Sequence, residues 1–431
     1  MRTFVVSCGM LACAATVAAA GTLEVGPGKT YAKPSQAIAA AKDGDVIEID
    51  AAGAYEGDVA YVHASNLTIR GVGQGRALLD ARGKVAGRKG IFVTKGRNIT
   101  VENIEFRNAG GEVNAAGIRA EGQNLTVRNC RFHECRDAIL GGAGEVLIEH
   151  SEFSHCGHNA NPATHNLYMS GRVTRLTYRF NYSHHTYEGH LLKSRARENW
   201  ILFNRLTDEE GTGSAVIDLP NGGLAVIVGN VLHKGPKGQN NRLIAYGMEG
   251  IRHERNEVYV VNNTMWWDNR REAWFVRVEN RGPRLPAGAP ATQPVTREVK
   301  TVIRNNVCIG PVPLTNAAVF EEAGNLRFKT MGEAVGFVNP AAYDFRLKAG
   351  SPCIDRGVDP GVLGEVSLRP EFQYVHPCDR MKRPDDGKID IGAFEYVPVD
   401  EGEGAVGAHP RGVDPATRHG TGHGRRALGA A

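Results

Sequence analysis

The 431-residue sequence has almost no net charge and, beyond its first twenty residues, no long apolar run. Lys and Arg total 51 against 47 Asp and Glu, and a surplus of +4 is too small to indicate a nucleic-acid binder. No later segment approaches the roughly 18 to 20 consecutive apolar residues of a membrane-spanning helix, so no membrane insertion is expected. Glycine is abundant, with 53 residues, which argues against a helical bundle. Hydrophobic residues make up 42%, enough to bury a core, which argues against global disorder.

The first twenty residues have the organisation of a secretory signal peptide. Arg2 precedes an apolar run that begins at Phe4, and three alanines at positions 18 to 20 precede Gly21. We therefore expect residues 1–20 to be removed by cleavage after Ala20, and the mature protein to be secreted or periplasmic. A lipoprotein signal ending at Cys13 is the weaker alternative, because the apolar stretch before it is short.

Six cysteines remain after residue 20, an even number that suits disulfide bonds in an oxidising compartment. Cys353 and Cys378 flank a stretch rich in Gly, Pro and Asp and form a candidate disulfide. For Cys130, Cys135 and Cys156, buried free thiols are an equally good interpretation.

Short segments that end in Asn or His recur along the chain. Within the copy at 98–103, Ile99 and Val101 share one face of a strand and Thr100 lies on the other. Asparagine suits the end of each copy, because its amide both donates and accepts hydrogen bonds along a stack and tolerates a left-handed corner. The undisturbed steps are 21 to 26 residues, and the aligned segments are 98–103, 124–129, 145–150, 199–204, 225–230, 257–262 and 300–305.

A second apolar strand precedes most of these copies, for example near residues 117–120 and 137–140. Two or three short strands in a repeat of this length are typical of a stacked parallel β-helix. A β-propeller blade would need about 40 to 45 residues, and a leucine-rich repeat would show its Leu signature. The predicted fold is therefore all-β, a single-stranded parallel β-helix, that is, a solenoid.

The chain at this point resembles the pectin-lyase-like superfamily of right-handed parallel β-helix proteins. Leu23 begins a short entry strand, and Ser35 begins an amphipathic segment like the capping helix of that superfamily. The resemblance implies one right-handed β-helix domain over 21–397, with an N-terminal cap and first coil at 21–50 and a closing segment at 340–397. Residues 398–431 are rich in Gly, His and Arg without periodicity and are expected to be disordered.

Polar residues interrupt the repeat between about residues 159 and 249. Equivalent positions of neighbouring coils stack about 4.8 Å apart, so these residues are expected to form one polar strip suited to a long polymer. The candidate catalytic residues are Lys193, His190, Tyr168, Arg195 and His165, and the candidate substrate-binding residues are Arg197, Asp218, Asn221, Tyr246 and Glu249.

These residue types fit β-elimination in a uronate-containing polysaccharide, where a base removes the C5 proton while cations or strong donors neutralise the adjacent carboxylate. Lys193 is the candidate base, because the nearby Arg195 and Arg197 would favour its neutral form. The run from Leu191 through Lys193, with Asn199 following, is similar to the chondroitinase B and alginate lyase family, whose Lys-Ser pair supplies the base. That family places its acid, an arginine, on the next coil in Arg-His-Gly, whereas this chain has Asp218-Leu-Pro; His190, Arg195 or Tyr168 must supply the acid, or the chemistry differs.

The expected partner is an acidic polysaccharide and the expected state is a monomer. A C5-epimerase, a glycoside hydrolase and a non-catalytic carbohydrate-binding β-helix are the alternatives. Residues 208–210 are a candidate Ca²⁺ site, although a solvated acidic turn explains them as well. Trp266, Trp267 and Trp274 are candidate sugar platforms, although one of the adjacent pair must point inward. No metal ligands are assigned, since the histidines at 155, 158, 184 and 185 suit surface loops and those at 409, 419 and 423 belong to the predicted tail.

Overall fold

Alternation of apolar and polar residues builds three long parallel sheets in the computed structural model, which describes residues 20–111, 115–157, 164–282, 296–332 and 335–398. All but the last residue of the predicted signal peptide, and all but the first of the predicted tail, lie outside the described residues. Each full coil contributes one strand to sheet B, then one to sheet A, then one to sheet C. The chain divides into two units, Met1–Tyr396 and Val397–Ala431.

The three sheets contain twelve, nine and ten strands among the described residues. Sheet A consists of Thr22–Val25, Val46–Asp50, Thr68–Val72, Arg97–Glu102, Gln123–Arg128, Gly144–Glu149, Val173–Arg179, Glu198–Leu202, Leu224–Val228, Glu257–Val261, Lys300–Arg304 and Glu321–Ala323. Sheet B consists of Ala60–Val62, Gly90–Thr94, Ala116–Ala120, Asp137–Gly141, Leu167–Met169, Leu192–Ser194, Ile217–Leu219, Arg242–Tyr246 and Trp274–Val278. Sheet C consists of Ala77–Asp80, Ile104–Arg107, Arg131–His133, Glu152–Ser154, Tyr182–His184, Arg205–Thr207, Val231–Lys234, Thr264–Trp267, Val307–Ile309 and Leu326–Phe328.

Stacked identical side chains fill the space between the sheets. Phe106, Phe132 and Phe153 occupy partner positions on successive strands of sheet C, with ring centroids 4.9 and 5.2 Å apart and nearly parallel planes. All three are fully buried. Stacking one aromatic per coil at the strand spacing gives a continuous apolar column, which holds successive coils in register.

The asparagines form two ladders rather than the single ladder expected from the sequence. Asn103, Asn129, Asn262 and Asn305 occupy the corner after sheet A with φ between 48° and 56°. The next position along the chain carries a separate ladder, buried except at its last member, in which each backbone N–H donates to the next side-chain oxygen at 2.9 Å. Its members are Asn181, Asn204, Asn230, Asn263, Asn306 and Asn325.

The predicted alignment of the segments 199–204 and 225–230 is therefore wrong by one residue. In sheet A, Asn199 occupies the position equivalent to Ile99, through the pairings with Leu176, Val146 and Leu125 on the strands between them. The sequence alignment had instead matched Asn199 with Asn98. The slip arose because asparagine suits both adjacent positions. At the corner it tolerates a positive φ, and one residue later its amide satisfies buried backbone groups of the neighbouring coil.

A single α-helix, Pro34–Ala40, lies at the first coil in the described residues. Pro34 suits the first helical turn because its ring fixes φ and its missing N–H would have no partner there. The helix buries Ala37 and Ile38 against the first strands, as the predicted cap requires, and the backbone N–H and hydroxyl of Ser35 donate to Asp58. None of the described helices combines the length and apolar composition needed to cross a bilayer.

The closing segment contains short antiparallel pairs instead of further coils. Phe337–Asn339 pairs with Asp344–Leu347, Val362–Leu363 with Val366–Ser367, and Phe372–Val375 with Asp379–Lys382; a short 3-10 helix spans Pro340–Ala342.

The expected Cys353–Cys378 disulfide is absent, since both residues are free thiols, as are Cys130, Cys135, Cys156 and Cys308. Cys353 packs in an apolar cluster with Phe337 and Phe345, whereas Cys378 packs against Tyr182 and Tyr374, so each thiol serves as a small apolar side chain in a different core cluster.

Candidate active site

One outward-facing row of sheet B brings three of the sequence candidates side by side. Tyr168 pairs with Lys193, and Lys193 pairs with Asp218 on the next strand. Leu192 and Ser194, on either side of Lys193, are buried, which leaves Lys193 on the outer face. Because adjacent strands lie about 4.8 Å apart, residues that are 25 positions apart in sequence become neighbours. We call Tyr168, Lys193 and Asp218 the central row.

Lys193 and Arg195 hold one carboxylate between them. The Nζ of Lys193 lies 2.8 Å from Oε1 of Glu249, and Nη2 of Arg195 donates to Oε2 of Glu249 at 2.6 Å. Burial on its own would raise the pKa of Glu249, but the hydrogen bonds from Lys193 and Arg195 outweigh it and lower the pKa to about 2. The Glu249 side chain is nevertheless 43% exposed, so its carboxylate is bound between two cations at a position that solvent can reach. We call Lys193 and Arg195 the cationic clamp.

Two further contacts fix the direction of the Arg195 guanidinium. Its Nε donates to the hydroxyl of Tyr168 at 2.8 Å, and its Nη1 donates to Oδ1 of Asn221 at 2.7 Å. The Tyr168 hydroxyl therefore acts as an acceptor toward Arg195 and keeps its own proton for another acceptor. A planar guanidinium held along two edges presents its third edge in one orientation, toward Glu249.

Lys193 is surrounded by carboxylates more closely than the sequence suggested. Besides Glu249, Oδ2 of Asp218 lies 3.3 Å from its Nζ, whereas the expectation for this base relied on the positive charges of Arg195 and Arg197. Asp218 is buried, and burial raises its pKa. Lys193 and Asp218 thus form a close ion pair on neighbouring strands of sheet B.

His165 and His190 stack beside the central row, with ring centroids 4.9 Å apart and planes 5° apart. Nδ1 of His165 accepts the backbone N–H of His190 at 3.0 Å, and Nδ1 of His190 accepts that of Ala215 at 2.8 Å. Burial lowers the pKa of both rings well below 6.5, so both are neutral, with the proton assigned to Nε2. The Nε2 of His190 lies 3.3 Å from Oδ2 of Asp218, so its N–H can orient this carboxylate.

Three of the site residues predicted from the sequence have little or no contact with the central row. Tyr246 is completely buried and its hydroxyl donates to the carbonyl of Gly223, which corrects the expectation that Tyr246 contacts substrate. It lies on the inward face, one position beyond Ala245, which continues the central row. Arg197 is exposed at the corner before the sheet A strand Glu198–Leu202. His165 contacts the central row only through its ring, 5.6 Å from that of Tyr168.

Arg277, which the sequence analysis did not single out, extends the row. Two strands beyond Asp218, the equivalent position carries Arg277, whose guanidinium lies 5.3 Å from the ring of Trp274. Trp274 is therefore the candidate sugar platform on sheet B. Trp267 is buried, and Trp266 lies on sheet C against His233.

The expected Ca²⁺ site or solvated turn at 208–210 is a set of ion pairs. Asp208 and Lys234 are both completely buried, with Nζ of Lys234 2.7 Å from Oδ2 of Asp208. Lys234 also donates to the carbonyls of Gly213 and Ser214, which lie just before the strand that carries Asp218. Asp208 is thus engaged by a cation of the chain, and the expectation of a solvated acidic turn is wrong for this residue.

Asp137 is a buried carboxyl next to the histidine stack. Its Oδ1 accepts the backbone N–H of His165 at 2.6 Å, and its Oδ2 has no hydrogen-bond partner in the described part of the chain. Burial raises the pKa of Asp137 to about 8, although the nearby charges of Arg119 and Arg136 oppose the shift. The protonated acid is therefore the form that the fold favours.

This shift predicts a specific pH dependence of stability. Between about pH 4 and pH 8 the folded protein keeps a proton on Asp137 that the unfolded chain has lost, so the free energy of unfolding falls as pH rises. Asp137→Asn keeps an oxygen that can accept the backbone N–H of His165, but the amide does not titrate in this pH range. Across this window the native protein is expected to lose on the order of 6 kcal/mol relative to Asp137→Asn, with no further loss at higher pH. Guanidinium unfolding at a series of pH values measures it, with the exposed Asp386→Asn as control; parallel profiles for the native protein and Asp137→Asn would contradict the assignment.

Comparison with protein-family models agrees with this architecture. The family model for the right handed beta helix region matches residues 52–265. Among solved structures, the crystal structure of pectate lyase Pel9A is 15% identical and covers 88% of this chain and 96% of that chain, with a TM-score of 0.49. The structure of the PL6 family alginate lyase AlyGC is also 15% identical and covers 72% of this chain and 50% of that chain, with a TM-score of 0.25. No curated protein matches the sequence.

The three stacked sheets define a parallel β-helix protein. The match over residues 52–265 agrees with the right-handed β-helix that the resemblance in the sequence implied.

Proposed function

We propose that this protein is a secreted polysaccharide lyase that cleaves an acidic, uronate-containing polymer by β-elimination at the central row. The observation that carries the proposal is the cationic clamp, which holds the carboxylate of Glu249 at a partly exposed position. A uronate carboxylate has the same shape and charge as the group that the clamp already binds. The substrate carboxylate would take the place of Glu249 and bring C5 of its sugar next to Lys193.

Neutralising that carboxylate lowers the barrier to removal of the C5 proton, because the electron pair left behind spreads onto the carboxylate oxygens. Arg195 suits this task because Tyr168 and Asn221 fix its orientation before substrate binds. Preorganised donors of this kind need no rearrangement when charge develops in the transition state.

In the proposed reaction, neutral Lys193 takes the C5 proton and the electron pair forms the C4–C5 double bond as the C4–O bond breaks. The Tyr168 hydroxyl, which accepts from Arg195, gives its proton to the departing oxygen. Lys193 gives up its ammonium proton to solvent before the reaction, Asp218, 3.3 Å from Nζ, positions the amine, and His190 orients the Asp218 carboxylate. The excess proton on Lys193 afterwards returns to Tyr168 by way of solvent.

The rest of the row supplies a surface for further sugars. Arg277 and Trp274 lie on the same sheet, toward the C-terminal coils, and offer a cation and an aromatic face. An extended polymer lying along the solenoid axis would meet one row position about every 4.8 Å. This arrangement favours a long anionic chain over a small acid.

Glu249→Gln tests the competition between Glu249 and substrate. The neutral amide should bind the cationic clamp less tightly than the carboxylate does, so KM for the polymer is expected to fall about two- to fivefold with kcat nearly unchanged. Initial rates over a range of polymer concentrations measure this, with the exposed Glu254→Gln as the matched control. A tenfold rise in KM would instead make Glu249 a substrate-binding group in its own right.

A panel of alginate, pectate, glucuronan and glycosaminoglycans tests the proposed activity. β-Elimination leaves an unsaturated uronate at the new non-reducing end, which absorbs in the ultraviolet, and the polymer becomes shorter. We expect both signals together on at least one uronate polymer. Shortening without absorbance would indicate hydrolysis, and neither signal on any of the four would contradict the proposal for these polymers.

A further inference from the structure

A second group of ionisable side chains lies on sheet C, away from the central row. His184 ends the strand Tyr182–His184, and His185 follows it at the corner with φ of 46°. Glu209 follows the neighbouring strand Arg205–Thr207, also with a positive φ of 52°. The three side chains are only 10 to 27% exposed, so they meet in a partly sheltered position at the surface.

The free ligand atoms of these three residues converge. Nδ1 of His184 lies 2.6 Å from Nδ1 of His185, and Nδ1 of His185 lies 3.8 Å from Oε2 of Glu209. One ligand atom from each of the three residues lies within 4.8 Å of the other two. Two imidazole nitrogens that face each other so closely need either a proton or a cation between them, since their lone pairs repel.

The opposite ends of two of these side chains, His184 and Glu209, are already held. Nε2 of His184 lies 3.3 Å from Oε1 of Glu152, which fixes the ring and leaves Nδ1 with its lone pair free. Oε1 of Glu209 accepts hydrogen bonds from Tyr182, Arg205 and Thr207 at 2.6 to 2.8 Å, which leaves Oε2 facing the histidines. A carboxylate behind a ligating histidine is the usual arrangement around protein-bound metals, since it sets the tautomer and raises the basicity of the ligand.

We propose that Nδ1 of His184, Nδ1 of His185 and Oε2 of Glu209 bind one divalent transition metal such as Zn²⁺. Two imidazoles and one carboxylate suit Zn²⁺ and its first-row neighbours, whereas Ca²⁺ prefers an all-oxygen set. Three protein ligands leave a coordination position for water. Arg205 forms an ion pair with Glu209 and so reduces the negative charge at the proposed site. Glu152, on the other side of His184, adds a second negative charge that offsets this reduction.

Metal titration of the full-length protein tests this site. The sequence holds three further histidines in its last residues, His409, His419 and His423, so the reference protein carries all three as Gln. This reference, freed of metal with a chelator, is titrated with Zn²⁺ against a chromophoric competitor. One tight site is expected, and His185→Gln or Glu209→Gln in the same background should each weaken it by about 100-fold. His63→Gln, an exposed histidine of the first coils, should leave the affinity unchanged.

Co²⁺ provides a readout that needs no variant at the site. Bound to two imidazoles and a carboxylate, Co²⁺ should give the visible absorption of a four- or five-coordinate ion, and one equivalent of Zn²⁺ should remove it. The proposal is overturned if the reference protein binds no Zn²⁺, if Co²⁺ remains octahedral as in water, or if both site variants bind Zn²⁺ as tightly as the reference does.

Discussion

Lys193→Ala is expected to lower the rate of polymer cleavage by about 10³-fold, since a positioned general base contributes roughly 10² to 10⁴ to the rate. Its Nζ is the cation that faces both the buried Asp218 and the exposed Glu249, and no other side chain of the central row can serve as a neutral amine. The fold should survive, because Lys193 lies on the outer face of sheet B. Ultraviolet absorbance of the unsaturated product measures the rate.

Two comparisons make this result specific to proton abstraction. Lys193→Arg keeps the positive charge but cannot supply a neutral base, so it should be nearly as inactive as Lys193→Ala while retaining affinity for the polymer. Lys388→Ala removes an exposed lysine paired with Asp355 and should have native activity. Substantial activity in Lys193→Arg would mean that Lys193 only binds substrate, and another group removes the proton.

Lys234→Met is expected to cost about 3 to 5 kcal/mol of unfolding free energy, the typical loss when one member of a buried ion pair is removed. Asp208 would be left in the interior without its cation, and the carbonyls of Gly213 and Ser214 would each lose a donor. These carbonyls precede the strand Ile217–Leu219, so Lys193 and Asp218 should also become less precisely aligned. Guanidinium unfolding measures the loss of stability.

The double variant Asp208→Leu with Lys234→Met distinguishes the free energy lost by leaving a buried charge unpaired from the free energy lost by changing the packing at a buried site. Replacing both charges by apolar groups should recover part of the stability lost by Lys234→Met, because no uncompensated carboxylate remains. If Lys234→Met alone is as stable as the native protein, Asp208 is neutral in the fold and the pair contributes little.

The fold could be predicted because each coil repeats the same physical requirement. Apolar residues alternate along strands such as Arg97–Glu102, and the period of the repeat excludes blades and leucine-rich units. The exact register was harder to predict. Asn204 and Asn230 matched Asn103 in the sequence alignment, although they occupy the next position, because asparagine satisfies both a left-handed corner and a buried amide ladder.

The central row could be anticipated from polar residues at equivalent positions, and the structure brings Tyr168, Lys193 and Asp218 together as expected. Tyr246 was assigned to the wrong face, because one residue of displacement in a strand reverses the direction of a side chain. The contact between Glu249 and the cationic clamp depends on a turn after the strand Arg242–Tyr246, and turn paths leave no periodic signal in the sequence.

Buried charges were the least predictable feature. Lys234 and Asp208 are 26 residues apart and meet only because their coils are adjacent, so each resembles an ordinary surface charge in the sequence. The histidine pair at 184 and 185 was visible, but one carboxylate partner, Glu152, lies on the preceding strand of sheet C, and the other, Glu209, lies just after the following strand. A correct register would have identified both groups.

The central claim is tested most directly by following the reaction in heavy-oxygen water and in deuterated water with mass spectrometry of the products. β-Elimination by the native protein predicts shortened chains with an unsaturated end, no oxygen taken from the solvent, and loss of these products in Lys193→Ala. Solvent oxygen at the new chain end would contradict the lyase assignment in favour of hydrolysis. Deuterium at C5 of uncleaved sugars, without shortening, would contradict it in favour of epimerisation.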